Sequence, residues 1–174
     1  VAMAALRLQN VKRVELPIPG ADPWFAAPKD PALTVMTDFR ERASVTVSES
    51  APVDAALDHM KHAGVRSAFV IHAQRRVVVG LVTAYDLMGD KPVRHMEEQR
   101  VPRKDVHVRD IMVPLADVAS VDIREIEAAT VADVARLFDA SELTHLAVTE
   151  PDEQGSVRLR GLLSAARVRR LLVR

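Results

Sequence analysis

The chain contains no cysteine, and with that absence go disulfides, thiolate nucleophiles and cysteine-ligated zinc or iron–sulfur centres. Aromatic residues make up only 3% of it, so the core must be built from Val, Leu, Ala, Ile and Met, and the aromatic interleaving of a single-strand nucleic-acid surface is missing. Charge of one sign is lacking as well. With 24 basic residues against 24 acidic ones there is no overall pull toward nucleic acid or an anionic membrane, so nucleic acid is not an expected partner and any anion must be met locally. No apolar run approaches the roughly 18 to 20 residues that span a bilayer. The start, Val1 to Asn10, shows no secretory h-region or cleavage pattern, so a cytoplasmic location away from membranes is the expectation. No Gly-rich P-loop, Gly-x-Ser-x-Gly, His-Glu-x-x-His or paired catalytic carboxylates occur, which argues against an enzyme and gives no catalytic residue.

What remains is a chain of 174 residues, 48% hydrophobic, with material for one ordinary domain or two small ones. Residues 1–32 hold half of its prolines (Pro17, Pro19, Pro23, Pro28, Pro31) and read as an extended N-terminal arm. In that arm Leu6, Leu8, Val11, Val14 and Leu16 suit an edge strand, and Trp24 with Phe25 suits an anchor on the body.

A first unit follows over 33–89. It has a short strand at Ser44–Val47 and a helix with Pro52 in its first turn and Val53, Ala56, Leu57 and Met60 at i, i+3, i+4, i+7, closed by Gly64. Strands at Ala68–Ile71 and Val77–Val82 and a closing helix through Leu87 complete it. Residues 90–107, with Pro92, Pro102 and mixed charge, read as a linker with at most a helical turn at His95–Gln99. The second unit, 108–174, repeats the first. Ile111 and Met112 stand for Val35 and Met36, a strand lies at Ala119–Val121, and Val131, Val134, Ala135 and Phe138 match the apolar face of the first helix position for position. Thr130 and Asp133 form a capping pair, strands fall at Thr144–Thr149 and Val157–Leu163, and a terminal helix runs from Ser164 to Leu172. The stretch from Val121 to Val131 is longer than its counterpart from Val47 to Val53. Two β-α-β-β-α units of mixed α/β (α+β) class, each too small to bury both faces of its sheet, must pack on each other.

One stretch in each unit carries chemistry. Gly80-Leu-Val-Thr-Ala-Tyr-Asp-Leu87 turns from a β-branched strand into a helix, with the Thr83 hydroxyl and the Asp86 carboxylate on one side. A hydroxyl that bonds phosphate and a carboxylate that accepts from two vicinal hydroxyls make a ribose-phosphate grip. The same pair is equally an N-cap with its N3 acid, worth about 1 kcal/mol of helix stability. The pattern recurs at Gly161 to Val168, where Ser164 holds the hydroxyl position and Arg167 replaces the acid.

His59 and His62, one helical turn apart, lack a third ligand in view and read as a solvated face, so no metal is expected. His145 enters its strand at the place matching Ser67. Arg167, Arg169, Arg170 and Arg174 form a basic C-terminal cluster that reads as a solvated helix face.

The order of the two units, the leading Val35–Thr37 and Asp110–Met112 segments and the closing Gly80–Asp86 motif resemble a tandem pair of cystathionine-β-synthase (CBS) domains, a Bateman module, over about residues 33 to 173. The resemblance implies a pseudo-twofold pair of sheets with clefts that bind adenosyl ligands such as AMP, ADP, ATP or S-adenosylmethionine. It places Thr83 on phosphate and Asp86 on ribose, with Val45, Thr46, Val47, Arg66, Ser67 and Ala68 around the base. A second, weaker site would use Ser164, His145 and Arg167, although a guanidinium has only donors and cannot accept from a diol. The implied function is a sensor acting on a separate protein; a structural dimerisation scaffold with vestigial clefts is the alternative. No cofactor beyond a regulatory ligand is implied. A homodimer is expected, because the helices carrying Leu87 and Met88, and Val168, Leu171 and Leu172, would otherwise leave apolar surface uncovered.

Overall fold

In the computed structural model, Asn10, Lys12 and residues 24–172 are described. The expected Leu6–Leu16 strand lies outside the described residues. Among those residues the elements run β1 (Thr37–Asp38), β2 (Thr46–Ser48), α1 (Val53–His62), β3 (Ser67–Ile71), β4 (Val78–Thr83), α2 (Ala84–Met88) and α3 (Asp90–Gln99). They continue with α4 (Val108–Ile111), β5 (Val113–Pro114), β6 (Ser120–Asp122), α5 (Ile123–Ala128), α6 (Val131–Ala140), β7 (His145–Pro151), β8 (Val157–Ser164) and α7 (Ala165–Leu171).

Two four-stranded sheets form, β2-β3-β4-β5 and β1-β8-β7-β6, an α+β arrangement in which one sheet repeats the other. Each unit lends its leading strand to the other: Thr37 and Asp38 pair with Leu162 and Gly161, and Val113 and Pro114 pair with Leu81 and Gly80. Both crossings lie over a glycine. A Cβ on Gly80 would fall 2.5 Å from the Val113 carbonyl oxygen and 2.8 Å from Met112 Sδ, and one on Gly161 would fall 2.7 Å from both the Thr37 carbonyl oxygen and Met36 Sδ. Glycine is required there because a borrowed backbone runs directly against the strand.

Strand alternation sorts the side chains into three cores. Val47, Ala68, Val70 and Val82 point outward from the first sheet to pack with Val53, Leu57, Met60 and Leu87. Leu146, Val148 and Leu163 do the same for the second sheet with Val131, Val134, Phe138 and Val168. Facing each other between the sheets are Phe69, Leu81, Ala147 and Leu162, joined by Phe39, whose ring meets Phe69 edge-on at a centroid distance of 5.8 Å.

Several expectations are revised. Of the expected N-terminal arm, residues 26–32 and the following turn to Val35 are tied to the body: the Ala26 N–H bonds the Leu171 carbonyl, the Ala32 N–H the Ala129 carbonyl and the Val131 N–H the Asp30 carbonyl, so the segment lies along the second repeat with Ala26, Ala32 and Val35 in its core. Ala26 is buried there at 3% exposure, and Trp24 and Phe25 are 69% and 63% exposed. The supposed linker is largely helix α3, since Pro92 falls in its first turn, where a missing N–H breaks no bond. The extra length after Val121 folds as α5, which Asp122 caps through the Arg124 N–H. Leu87, Val168 and Leu171 are buried within the chain itself and offer a partner nothing, although Met88 is 59% exposed.

Candidate functional site

The inter-sheet core ends before the sheets do. Strand partners side by side share a face, so Ser67 and Thr83 continue the line of Phe69 and Leu81, while His145 and Ser164 continue that of Ala147 and Leu162. Four half-buried polar residues, two from each repeat, therefore line the mouth where β4 and β8 turn into α2 and α7. Thr46, beside Phe69, lies on the same face of the first sheet. The other residues expected around a base do not: Val47 and Ala68 are buried in the outward core with Val45 packed against them, and Arg66 is exposed with its carbonyl bonded to the Ala84 N–H.

At α2 the Thr83 hydroxyl donates to Asp86 Oδ2 (2.7 Å) and accepts from the Asp86 N–H (3.0 Å), and the Thr83 N–H also donates to Oδ2 (2.9 Å). The second carboxylate oxygen is engaged too, with Lys91 Nζ 2.7 Å from Asp86 Oδ1. Burial pushes the Asp86 pKa up, but the Lys91 ammonium and the Thr83 donors outweigh it, and the group is held below the ordinary carboxylate range. It stays ionised and accepts only. The cap by itself is not diagnostic, because Thr130 and Asp133 build the same box at the exposed start of α6, with Thr130 Oγ1 2.6 Å from Asp133 Oδ2. What Asp86 has in addition is partial burial, Lys91, and a titratable neighbour from the other repeat. His145, bonded to Thr144 Oγ1 at 3.0 Å, has its pKa pushed down by burial and partly restored by the Asp86 charge.

That cross-repeat pairing was not legible in the sequence, where His145 is grouped with Ser164 and Arg167. It follows from the packing of one sheet on the other, and no local pattern signals it.

At α7 the cap is one-sided. Ser164 Oγ accepts from the Arg167 N–H (3.2 Å), and the Arg167 side chain turns away to donate from Nε to the Val35 carbonyl (3.2 Å). Burial depresses the Arg167 pKa, and the Arg170 and Arg42 charges depress it further. The C-terminal basic cluster is thus divided: Arg169 pairs with Asp139 at 3.2 Å, Arg170 stands on the side of Arg167, and Arg174 lies outside the described residues. His59 and His62 are exposed in the last turn of α1.

The family model for the CBS domain matches twice, over residues 22–90 and 108–174. The chain belongs to the CBS domain family. A search of curated proteins gives no match. Among solved structures it resembles the CBS-pair protein CBSX2 from Arabidopsis thaliana in complex with AMP, at 24% identity and a TM-score of 0.54 over 82% of this chain and 94% of that one. It also resembles an uncharacterized conserved protein from Pyrococcus horikoshii (21% identity, TM-score 0.54, 81% and 90% of the two chains). A third resemblance is to a conserved protein domain of unknown function from Neisseria meningitidis (17%, 0.54, 81% and 77%). These likenesses establish the fold of a CBS pair. No helix of the described residues is long and apolar enough to cross a membrane.

Proposed function

We propose that this CBS pair is a non-catalytic regulatory module that takes an adenosyl ligand (AMP, ADP, ATP or S-adenosylmethionine) at the mouth between its sheets. The observation that carries this reading is that the register places Thr83, which caps α2 with Asp86, and His145 of the other repeat at the ends of the two strand lines that face each other between the sheets. Thr83 supplies a donor for phosphate, Asp86 the acceptors for a ribose diol, and Thr46 and Ser67 polar contacts on the same face. AMP bound to the related CBSX2 supports the ligand class. The module acts on a separate protein, works in the cytoplasm and pairs as a homodimer. The exposed Tyr85 and Met88 on α2, 82% and 59% accessible, are the surface such a partner would cover.

Thermal melts with each ligand test it. At ten times its dissociation constant a ligand adds about 1.4 kcal/mol, or roughly 3 to 5 °C for a chain of this size. Asp86→Ala is expected to abolish the shift.

One observation favours a second reading, a dimerisation scaffold with vestigial clefts. Both carboxylate oxygens of Asp86 are already bonded within the chain, and the second repeat has Arg167 where the acid belongs. A wild-type protein that shifts with none of the four ligands decides for the scaffold.

A further inference from the structure

The two exchanged strands occupy equivalent seats. Asp38 of β1 pairs with Gly161 and Pro114 of β5 with Gly80, and the borrowed backbone crosses each glycine closely. Both hairpins carry a bulge just before that glycine: the ladder passes from Gly80 to Val78 and from Gly161 to Leu159, so Val79 and Arg160 are the extra residues. Val79 packs against the apolar core of the first repeat. Arg160 gathers charge instead. Its Nη1 bonds Asp38 Oδ1, its Nε lies 3.3 Å from Glu150 Oε2, Arg40 Nη2 reaches the same Glu150 oxygen at 2.6 Å, and Glu127 of α5 adds a further negative charge. The Arg160, Glu150 and Asp38 side chains are only 11%, 18% and 21% exposed. The hydrogen bond from Arg160 is the main influence on the Asp38 carboxyl and, with the Arg40 N–H, outweighs burial to hold it below the ordinary carboxylate range.

Such a cluster is a poor stabiliser, because withdrawing a guanidinium and two carboxylates from water costs about as much as their attraction returns. Among the described residues, Arg160 Nε is a buried side-chain donor left without an aligned hydrogen bond. What the cluster does set is the cost of the wrong seat. Residues 39–45 join β1 to β2 and can span up to about 25 Å. On the sheet of its own repeat β1 would lie about 14 Å from β2, three strand spacings away, so the chain is long enough for either seat. Seated on β4, Asp38 would stand beside Val79, and Arg160 would face Pro114 or nothing; a carboxylate and a guanidinium would each lose the partner that justifies their burial. We propose that the Arg160–Glu150–Asp38 cluster is the address that assigns β1 to the second sheet, a buried charge constellation that Asp38 completes and Pro114 cannot. The assignment needs no ligand and is independent of the function proposed above.

Disulfide trapping tests it, because the chain has no cysteine of its own. Thr37→Cys/Leu162→Cys links β1 to the second sheet, where the two residues are strand partners. Thr37→Cys/Leu81→Cys reports the other seat, since Leu81 holds the equivalent place in the first sheet. Each full chain is refolded from urea at low concentration and oxidised, and its intrachain disulfide is quantified by mass after digestion. In the wild-type background the Leu162 pair should close and the Leu81 pair should not. Adding Asp38→Asn/Arg160→Val, which gives the second seat the apolar bulge of the first, should raise closure of the Leu81 pair roughly tenfold or more at the expense of the Leu162 pair. Asp90→Asn/Arg94→Gln, which removes the exposed ion pair of α3, should change neither. Asp38→Asn alone keeps an acceptor for the Arg40 N–H and carries the same comparison should the double variant not fold. A variant that still closes only the Leu162 pair overturns the proposal. So does loss of that pair with no gain at Leu81, which would make the cluster a plain stabiliser of the strand.

Discussion

Gly161→Ala tests the exchange of leading strands, on which the whole architecture depends. The added methyl carbon would lie 2.7 Å from the Thr37 carbonyl oxygen, 2.7 Å from Met36 Sδ and 2.9 Å from Met36 Cγ. A carbon approaches a carbonyl oxygen comfortably at about 3.3 Å or more, so something must move by roughly half an ångström. The thioether can rotate, but the carbonyl belongs to β1, which has only two residues paired with β8. Backbone displacement of this kind costs about 1 to 3 kcal/mol. For a chain of this size the middle of that range lowers Tm by roughly 4 to 8 °C. Urea unfolding followed by far-UV circular dichroism reads the loss directly. Adding Met36→Ala should recover little, because the Thr37 carbonyl remains. Gly161→Ala as stable as wild type would mean that β1 does not lie on β8, and the exchange would be refuted.

Phe69→Ala empties the centre of the inter-sheet core and removes the ring contact with Phe39; a loss of about 3 to 5 kcal/mol in urea unfolding is expected, and less than 1 would show that the sheets do not pack there. Lys91→Ala frees Asp86 Oδ1, so the AMP-induced melt shift should grow at fixed ligand concentration; a smaller shift would show instead that Lys91 holds the ligand. His145 gives a pH signature. Its folded pKa lies below the free value of 6.5, so in the intervening window the unfolded chain binds more protons. Stability is then fully present above about pH 6.5 and falls as pH drops through the folded value. His145→Asn should flatten that part of a Tm-against-pH curve, and an unchanged slope would place the titration elsewhere.

The repeat was legible because it is local: the apolar spacing of Val53 to Met60 recurs from Val131 to Phe138, and both segments are helices with that face buried. The exchange of β1 and β5 was not legible, since the Val35–Thr37 and Ile111–Met112 segments look alike and nothing in either names the sheet it joins. Proline misled at α3, because Pro92 breaks a helix in its middle but not in its first turn. In the N-terminal segment Ala26 is buried while Trp24 and Phe25 are exposed. Its attachment depends on a close backbone approach, which Ala26 permits and a large side chain would obstruct. At the cleft, alternation puts Val45, Val47 and Ala68 on the outward face of the first sheet and Thr46 and Ser67 on the inner one.

The Thr130–Asp133 cap has the same hydrogen bonds as the Thr83–Asp86 cap. Two sites with the same hydrogen bonds differ in surroundings: one opens a helix on the surface, the other closes a strand at a mouth shared by both repeats. An acceptor bonded only within its own turn gives a ligand no means of reaching the rest of the molecule. Asp86 has that means, through Lys91 to α3, the helix that joins the repeats, and across the mouth to His145 at the start of β7. A ligand that displaces Lys91 therefore alters the only helix longer than one turn between the two CBS repeats, while a contact to His145 ties the second sheet to the first. The exchanged strands β1 and β5 are each seated on the other repeat's sheet, so a shift of one repeat against the other has to strain these two short pairings.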